Sequence, residues 1–195
     1  GTLHAGSVSW STESIPATGT APLETAIRGE VTIPERQLRL NFLLKRNTDP
    51  ALPASHTLEL QFALPAEFSD GAIQTVSGVL LRKDASVTDP LTGILVRVNR
   101  GYFLIGLSNE VGNSGRNEQL LKERSLVEIP LIYENGRRAM LTLEKGAAGE
   151  KIFSETVKAW ESAARPLVPR SGGGCCGSAA SRAWEERGGC WPDRV

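Results

Sequence analysis

Two stretches of alternating apolar residues constrain the fold of this chain more than any other feature. Between Leu38 and Lys45, and again between Thr57 and Leu64, a leucine or phenylalanine occupies every second position. Successive side chains of a β-strand point to opposite faces of a sheet, so a period of two is typical of a half-buried antiparallel strand. The pattern predicts two strands that each place one face in a hydrophobic core.

Shorter runs of similar character, separated by turn residues, predict more strands. Asn135-Gly136 favours a tight hairpin because these residues readily take positive φ angles, and Asn99–Gly101 predicts a second hairpin loop. Asn47–Pro53 is interpreted as a loop because its prolines cannot donate to a ladder. The further strands are expected over Gly6–Glu13, Thr25–Ile33, Ile73–Arg82, Gly93–Val98, Tyr102–Ser108, Leu126–Tyr133 and Arg137–Lys145.

Helical spacing is found in two segments, Gly115–Arg124 and Glu150–Ala164. In the second segment, apolar side chains that include Phe153 and Trp160 share one face. The fold class expected is mainly β: an antiparallel β-sandwich, or a barrel-like variant, of about 8–10 strands with one short helix and one C-terminal helix. Its core is expected to contain Leu40, Phe42, Leu60, Phe62, Leu104, Ile129, Leu131, Leu141 and Phe153.

Composition changes sharply after Ala164. Residues 165–195 are rich in Gly, Ser and Arg and have no strand or helix period of useful length. Such a segment has high backbone entropy and little apolar area to offset it, which predicts disorder. We therefore expect a β-sandwich domain over residues 1–164 and a disordered tail over 165–195, whose composition leaves open that it is non-native sequence. Because the chain starts at Gly1 rather than Met, it is interpreted as a fragment or a processed form.

Charge and cysteine usage argue against several classes of function. The chain has 22 basic and 22 acidic side chains, so no global field attracts nucleic acid. Pairs such as Arg137-Arg138 are expected to be exposed and balanced by nearby acids. No apolar run reaches the about 18 residues of a membrane span, so no transmembrane segment is expected in this chain. Cys175, Cys176 and Cys190 all lie in the tail, which excludes thiol catalysis and thiolate metal sites from the domain.

The two histidines and the segment Lys145–Lys151 form no familiar catalytic or phosphate-binding motif. His4 is expected in a frayed terminus, and His56 is interpreted as a polar residue at a strand edge. Ser55 is not taken as a catalytic partner of His56, because neighbours on a strand face opposite ways. Lys145–Lys151 lies between a strand and a helix, but its glycines lack the spacing of a phosphate loop, so it is interpreted as a flexible connection.

Acidic residues are candidates for a carboxylate site, but nothing in their spacing brings two of them together. Glu59 and Glu128 lie on predicted strands, and Glu30, Glu128 and Glu144 are expected on solvated faces. Four loop residues with side-chain oxygens lack the spacing of a calcium loop and are assigned turn roles. They are Asn47, Asp49, Asp84 and Asp89. No catalytic, cofactor-binding or metal-binding residue is therefore assigned, and no cofactor is expected.

Six stretches of the chain carry a resemblance to a known family. They are Gly6–Trp10, Arg46–Asp49, Leu52–Thr57, Gly101–Ser108, Leu120–Ser125 and Leu143–Gly146. On these residues, the stretch from Gly6 to Trp160 resembles an uncharacterised C-terminal domain of membrane-anchored hypothetical proteins from rhizobia and related alphaproteobacteria. The resemblance implies a position after a membrane segment and a Pro/Ala-rich linker, and therefore a periplasmic or cell-envelope location. It implies no activity, ligand or catalytic residue.

The sequence favours a non-enzymatic cell-envelope domain that interacts with a protein or glycan partner, because it combines a β scaffold with long loops and no reactive constellation. The alternative is a hydrolase or small-ligand-binding β-sandwich with a site built from distant acidic residues. A closed pocket with two facing carboxylates would favour this alternative, whereas a flat, exposed apolar patch would favour the first interpretation.

Overall fold

The computed structural model describes residues 2–16, 23–83 and 88–164 of the chain. The fold is mainly β, with 48% strand and 22% helix, and its two antiparallel sheets form a sandwich-like arrangement with no closed barrel. The expected fold class is therefore confirmed.

The strands are β1 (Ser7–Ile15), β2 (Glu24–Ile33), β3 (Leu38–Arg46), β4 (His56–Ala63), β5 (Ile73–Val76), β6 (Leu80–Arg82), β7 (Asp89–Pro90), β8 (Gly93–Asn99), β9 (Tyr102–Leu107), β10 (Leu126–Tyr133) and β11 (Arg138–Glu144). The helices are a 3-10 turn (Pro34–Arg36), α1 (Val111–Glu123) and α2 (Gly146–Ala164).

The first sheet has six strands in the order β1-β2-β3-β4-β9-β8. The two alternating stretches of the sequence are its central pair, β3 and β4, which pair antiparallel from Arg39 opposite Ala63 to Arg46 opposite His56. The core contains Leu38, Leu40, Phe42 and Leu44 of β3 and Leu58 and Leu60 of β4, as the period of two predicts. The odd-numbered residues of β3 and β4 that alternate with them therefore lie on the outer face.

The second sheet is built around β10, which pairs with β11 on one side and with β5 and β6 on the other. The predicted strand Ile73–Arg82 is divided in two, because Gly78 takes a positive φ of 127° and interrupts the extended backbone. The Asn135-Gly136 hairpin between β10 and β11 is as predicted, with Gly136 at a φ of 82°. The short strand β7, which pairs with β6, was not predicted because two residues carry no readable period.

Both helices begin earlier than their sequence pattern predicts. The first turn of α1 contains the exposed Val111 and no buried residue, so no apolar face marks its start. Gly146 takes a left-handed φ of 60°, and this turns the chain from β11 directly into α2. The segment Lys145–Lys151 is therefore mostly helix, and its interpretation as a flexible connection was wrong.

One hydrophobic core joins both sheets and α2. Seven of the nine predicted core residues are buried, but Leu104 and Phe62 are only partly buried. In β9 the core side is occupied by Phe103, Ile105 and Leu107, so Leu104 lies on the outer face. Every residue but one from Tyr102 to Leu107 is apolar, so the sequence does not show which alternate set is inside.

Trp10 of β1 packs between α2 and the six-stranded sheet. Its indole contacts Phe42 and Phe153 edge-on, with ring centroids 5.3 Å and 5.0 Å away. The indole Nε1 donates to the carbonyl oxygen of Glu144 at 3.0 Å. A Cβ atom at Gly149 of α2 would lie 2.7 Å from Trp10 Cδ1, so the helix approaches this closely only because position 149 has no side chain.

Residues Gly1–Arg165 form one compact unit. The predicted tail, residues 165–195, lies outside the described residues, as do its three cysteines, so its disorder and foreign composition stay predictions. Within the described residues, no helix is long and apolar enough to span a membrane.

Candidate functional site

A polar cleft lies on the outer face of the six-stranded sheet, beside the loop that joins β3 and β4. Its volume is about 260 Å³. We call it the polar cleft. It is lined by Ile15, Pro16, Glu24, Lys45, Arg46, Asn47, Thr48, Asp49, Leu52, Thr57, Glu59, Tyr102 and Leu104.

Glu59 of β4 is the centre of one set of contacts in the cleft. Strand register places Thr57 opposite Lys45 and places Glu59 opposite Leu104, so Lys45 and Tyr102 are diagonal neighbours of Glu59. Glu59 Oε1 lies 2.8 Å from Lys45 Nζ, and the Tyr102 hydroxyl donates to Glu59 Oε2 at 3.0 Å. Burial and this hydrogen bond raise the pKa of Tyr102, so the phenol remains a protonated donor at neutral pH.

A second set of contacts pairs Arg46 with Glu24 at the end of β2. The guanidinium and carboxylate side chains are only 23% and 13% exposed, so the pair forms part of the cleft wall rather than a solvated surface bridge. Arg46 Nε is buried and has no hydrogen-bond partner among the described residues, and the same is true of Thr57 Oγ1. Among the described residues, two hydrogen-bonding atoms of side chains that line the cleft therefore have no partner.

The loop that borders the cleft is organised by one asparagine. Asn47 Nδ2 donates to the carbonyl oxygens of Asp49, Leu52 and Ala54 at 3.0, 2.8 and 2.8 Å. The backbone N–H of Ala51 donates to Asp49 Oδ1 at 2.9 Å. The turn roles predicted for Asn47 and Asp49 are confirmed, and this bonding gives the cleft an ordered rim.

Charged side chains of both signs line the cleft. Two basic residues, Lys45 and Arg46, and three acidic residues, Glu24, Asp49 and Glu59, line the cleft, which leaves a single excess negative charge. A surface of this kind offers fixed acceptors and donors side by side, and the Tyr102 hydroxyl is one of the donors. It suits a neutral ligand with several hydroxyl groups better than a strongly charged one.

The other acidic residues named from the sequence do not join this site. Glu30 and Glu144 are exposed, as predicted. Glu128 was expected on a solvated face, but it is 7% exposed and pairs with Arg82 at 2.8 Å. Its alternation with core residues led to the wrong prediction, because both faces of β10 are covered at this point of the second sheet.

His56 is buried, with 2% of its surface exposed, so its interpretation as a polar strand-edge residue was wrong. Its ring lies against Trp160 of α2, with centroids 4.9 Å apart. Burial, and then the positive charge of Arg46, lower the pKa of His56 to about 4. His56 therefore carries no charge at neutral pH.

Ser55 does contact His56, contrary to the argument from opposite strand faces. Ser55 precedes β4, and its Oγ lies 3.1 Å from His56 Nδ1. The hydroxyl donates to the carbonyl oxygen of Ser108 at 2.9 Å, so His56 Nδ1 is the donor to Ser55. A general base would have to accept this proton instead, so the pair is not a catalytic dyad.

Lys145 begins the segment Lys145–Lys151, which lacks the spacing of a phosphate loop. Its side chain caps the C-terminal end of α1. Its ammonium donates to the carbonyl oxygen of Leu121 at 2.6 Å and lies 4.0 Å from the centre of the Phe153 ring. Leu121 lies in the last turn of α1, where carbonyl groups have no partner within the helix. Burial lowers the pKa of Lys145 to about 7.

The remaining metal candidates have structural roles or lie outside the described residues. Asp89 pairs with Arg116 and Arg124 at 3.4 and 2.8 Å, and Asp84 is not among the described residues. His4 was expected to be frayed but lies 2.7 Å from Glu35. In the described part of the chain, no three His, Cys, Asp or Glu side chains are grouped closely enough to hold a metal ion.

The edge strand β8 carries the apolar patch that would suit a protein partner. Ile94, Val96 and Val98 are 73%, 53% and 50% exposed, and β8 pairs only with β9 among the described strands. An open edge with apolar side chains favours pairing with another extended segment.

Comparison with known proteins adds no relative. No family model, no curated protein and no solved structure matches this chain. The site is therefore judged on its geometry alone.

Sequence reasoning named Glu59, Asn47 and Asp49, but it did not place them together. It missed Glu24, Thr57 and Tyr102 as members of the site. The available signal was the pairing of the two alternating stretches, which sets Lys45 and Glu59 on one face of a hairpin. The contribution of β9 could not be read without its register against β4.

Proposed function

We propose that this chain is a non-enzymatic binding domain and that its polar cleft binds a saccharide. The observation that carries the proposal is that two residues that line the cleft, Arg46 and Thr57, each have a buried polar atom, Nε and Oγ1, without a partner among the described residues. An unsatisfied buried polar atom costs about 1–3 kcal/mol, and a bound hydroxyl group that reaches it after a small shift of the covering side chains would recover part of this cost. A hydroxyl both accepts and donates, so a sugar suits an N–H donor and a hydroxyl alike.

The remaining walls support a sugar over other small ligands. Glu59 and Lys45 offer an acceptor and a donor within 2.8 Å of one another. The half-buried Tyr102 ring adds an apolar surface against which the C–H face of a sugar can pack. The cleft volume of about 260 Å³ lies just below the about 300–1,000 Å³ of sites for drug-sized ligands, which suits one sugar unit.

A carboxylate hydrolase remains the second candidate, because Glu24 and Glu59 both line the cleft. Hydrolysis of a glycosidic bond needs one carboxyl group as a proton donor and the other as a base or nucleophile. Each carboxylate here is instead engaged by a cation, Arg46 or Lys45. This engagement is the reason we place binding before hydrolysis.

The proposed setting is the periplasm or cell envelope of a membrane-anchored parent protein. It rests only on the resemblance carried by stretches such as Gly101–Ser108 and Leu120–Ser125. Cell-envelope glycans would supply the hydroxyl-rich ligand that the cleft suits.

Titration calorimetry with neutral mono- and disaccharides tests the proposal. We expect at least one sugar to bind saturably to the full chain. Thr57→Val removes the hydroxyl without changing the size of the side chain and should weaken binding about fivefold, the equivalent of about 1 kcal/mol. Tyr102→Ala should weaken it at least as much.

The matched control is Thr142→Val, at an exposed position of β11 outside the cleft. It should leave binding unchanged. Equal affinity in the Thr57→Val and Thr142→Val proteins, or no binding by any sugar, would refute the proposal. Release of reducing ends that disappears in Glu59→Gln would show that the second candidate is correct.

A further inference from the structure

A second cleft lies at the turn end of the β10–β11 hairpin, against the N-terminal segment that precedes β1. Its volume is about 450 Å³. We call it the arginine cleft, because Arg36, Arg137 and Arg138 all line it. None of its residues belongs to the polar cleft, so its role is independent of the proposed sugar site.

A buried carboxylate fixes two of the three arginines. Asp70 is 3% exposed and accepts hydrogen bonds at Oδ1 from Arg137 and Asn135, at 2.9 and 2.8 Å. Its Oδ2 accepts from Arg36, whose guanidinium also lies 4.5 Å from the centre of the Phe68 ring. One anion therefore orders two cations at the cleft, which lowers the entropic cost of presenting them to a ligand.

The positive charge of the cleft exceeds what Asp70 neutralises. Arg137 is bound on one side only, and its side chain is 67% exposed. Arg138 is exposed and has no carboxylate within ion-pair distance in the described part of the chain. Three guanidinium groups against one lining carboxylate leave an excess of two positive charges. The expectation that nearby acids balance Arg137-Arg138 therefore holds for Arg137, which pairs with Asp70, and not for Arg138.

The other wall of the arginine cleft is apolar. Leu3 is 94% exposed and Met140 is 50% exposed, while Leu38 and Leu141 form buried surface behind them. Large apolar side chains at such exposure, beside the unpaired Arg138 and the largely exposed Arg137, form an amphipathic site. Its chemistry fits a molecule with an anionic group at one end and an apolar body at the other.

We propose that the arginine cleft binds a small organic anion in which a carboxylate or phosphate group is attached to an apolar chain. The anionic group accepts from the guanidinium groups of Arg137 and Arg138, because planar guanidinium N–H groups match the two oxygens of such a group. The apolar chain lies against Met140 and Leu3.

Calorimetric titration of the full chain with four probes tests this proposal. Octanoate and octyl phosphate combine charge with an apolar chain, whereas inorganic phosphate has charge only and octanol has the chain only. We expect saturable one-to-one binding of the first two, and binding weaker by at least about tenfold for each of the others.

Arg138→Gln removes one charge without disturbing the Asp70 contacts and should weaken octanoate binding about fivefold. The matched control is Arg39→Gln, at an exposed arginine on the outer face of β3, and it should bind like the unmodified chain. Met140→Ser should weaken octanoate but not inorganic phosphate. Substitution of Arg137 is avoided because it would leave the buried Asp70 short of a donor.

Four results would overturn the proposal. Octanol binding as tightly as octanoate would show that charge is not recognised, and inorganic phosphate binding as tightly would show that the apolar wall is not used. Equal octanoate affinity in the Arg138→Gln and Arg39→Gln proteins would place the ligand elsewhere. Sedimentation with phosphatidylglycerol vesicles in the absence of octanoate binding would show that the surface meets a membrane rather than a free anion.

Discussion

Gly149→Ala should destabilise this protein, although the same substitution in an ordinary helix is stabilising. Alanine is favoured over glycine inside a helix by about 1 kcal/mol. At position 149, however, the new Cβ would lie 2.7 Å from Trp10 Cδ1 and 3.1 Å from Trp10 Cγ. Trp10 cannot move away freely, because it packs between Phe42 and Phe153 and its Nε1 is bonded to the Glu144 carbonyl.

The magnitude follows from the competition between these two effects. Forcing one extra carbon into a packed site costs about 1–3 kcal/mol. After the gain in helix propensity is subtracted, Gly149→Ala should lower the free energy of unfolding by up to about 2 kcal/mol. Gly115→Ala in α1 is the matched control, since a Cβ there meets no atom within 4 Å. It should raise the free energy of unfolding by up to about 1 kcal/mol.

Urea unfolding followed by tryptophan fluorescence and circular dichroism measures both variants. Combining Gly149→Ala with Trp10→Leu should remove much of the penalty, with an interaction energy of about 1–3 kcal/mol in the double-mutant cycle. If Gly149→Ala proved as stabilising as Gly115→Ala, the close packing of Trp10 against α2 would be refuted.

Two further predictions concern buried titratable groups. Because the pKa of His56 is lowered to about 4, its contribution to stability is complete above the unfolded pKa of about 6.5 and is lost as pH falls towards 4. Urea melts from pH 7 to 4 should therefore show a loss of about 3 kcal/mol that is absent from His56→Gln, and parallel curves would contradict this. Lys145, with a pKa lowered to about 7, is protonated in the unfolded but not the folded chain between pH 7 and 10.5, so raising pH should stabilise the protein. Relative to Lys145→Met, the free energy of unfolding should rise by up to about 1.4 kcal/mol per pH unit. No rise would show that the Lys145 ammonium stays charged beside the Leu121 carbonyl.

Local patterns predicted most of the fold because they depend on few residues at a time. The alternation in β3 and β4 and the Asn135-Gly136 turn each have one favoured conformation, and both are present. The failures lie where local signals are weak. Near Leu104 almost every position is apolar, so the core face cannot be chosen from periodicity, and the first turn of α1 has no apolar face at all.

The candidate site could be predicted only in part, because it is assembled by strand register over long distances in sequence. Glu59 and Lys45 share one hairpin and were within reach of sequence reasoning. Tyr102 enters through the pairing of β4 with β9, which no local pattern specifies. Burial of His56 depends on Trp160 of α2 and could not be anticipated from the polar residues beside it.

The central claim, that the polar cleft is the ligand site, is tested most directly by amide chemical-shift mapping of the ¹⁵N-labelled chain during titration with the sugar that binds best. The account predicts saturable shifts concentrated at Lys45–Asp49, at Thr57–Glu59 and around Tyr102, with a single dissociation constant for all of them. Thr57→Val should reduce these shifts at equal sugar concentration, and Thr142→Val should not. Shifts concentrated instead along β8 or around Arg138, or no shifts at any sugar concentration, would contradict it.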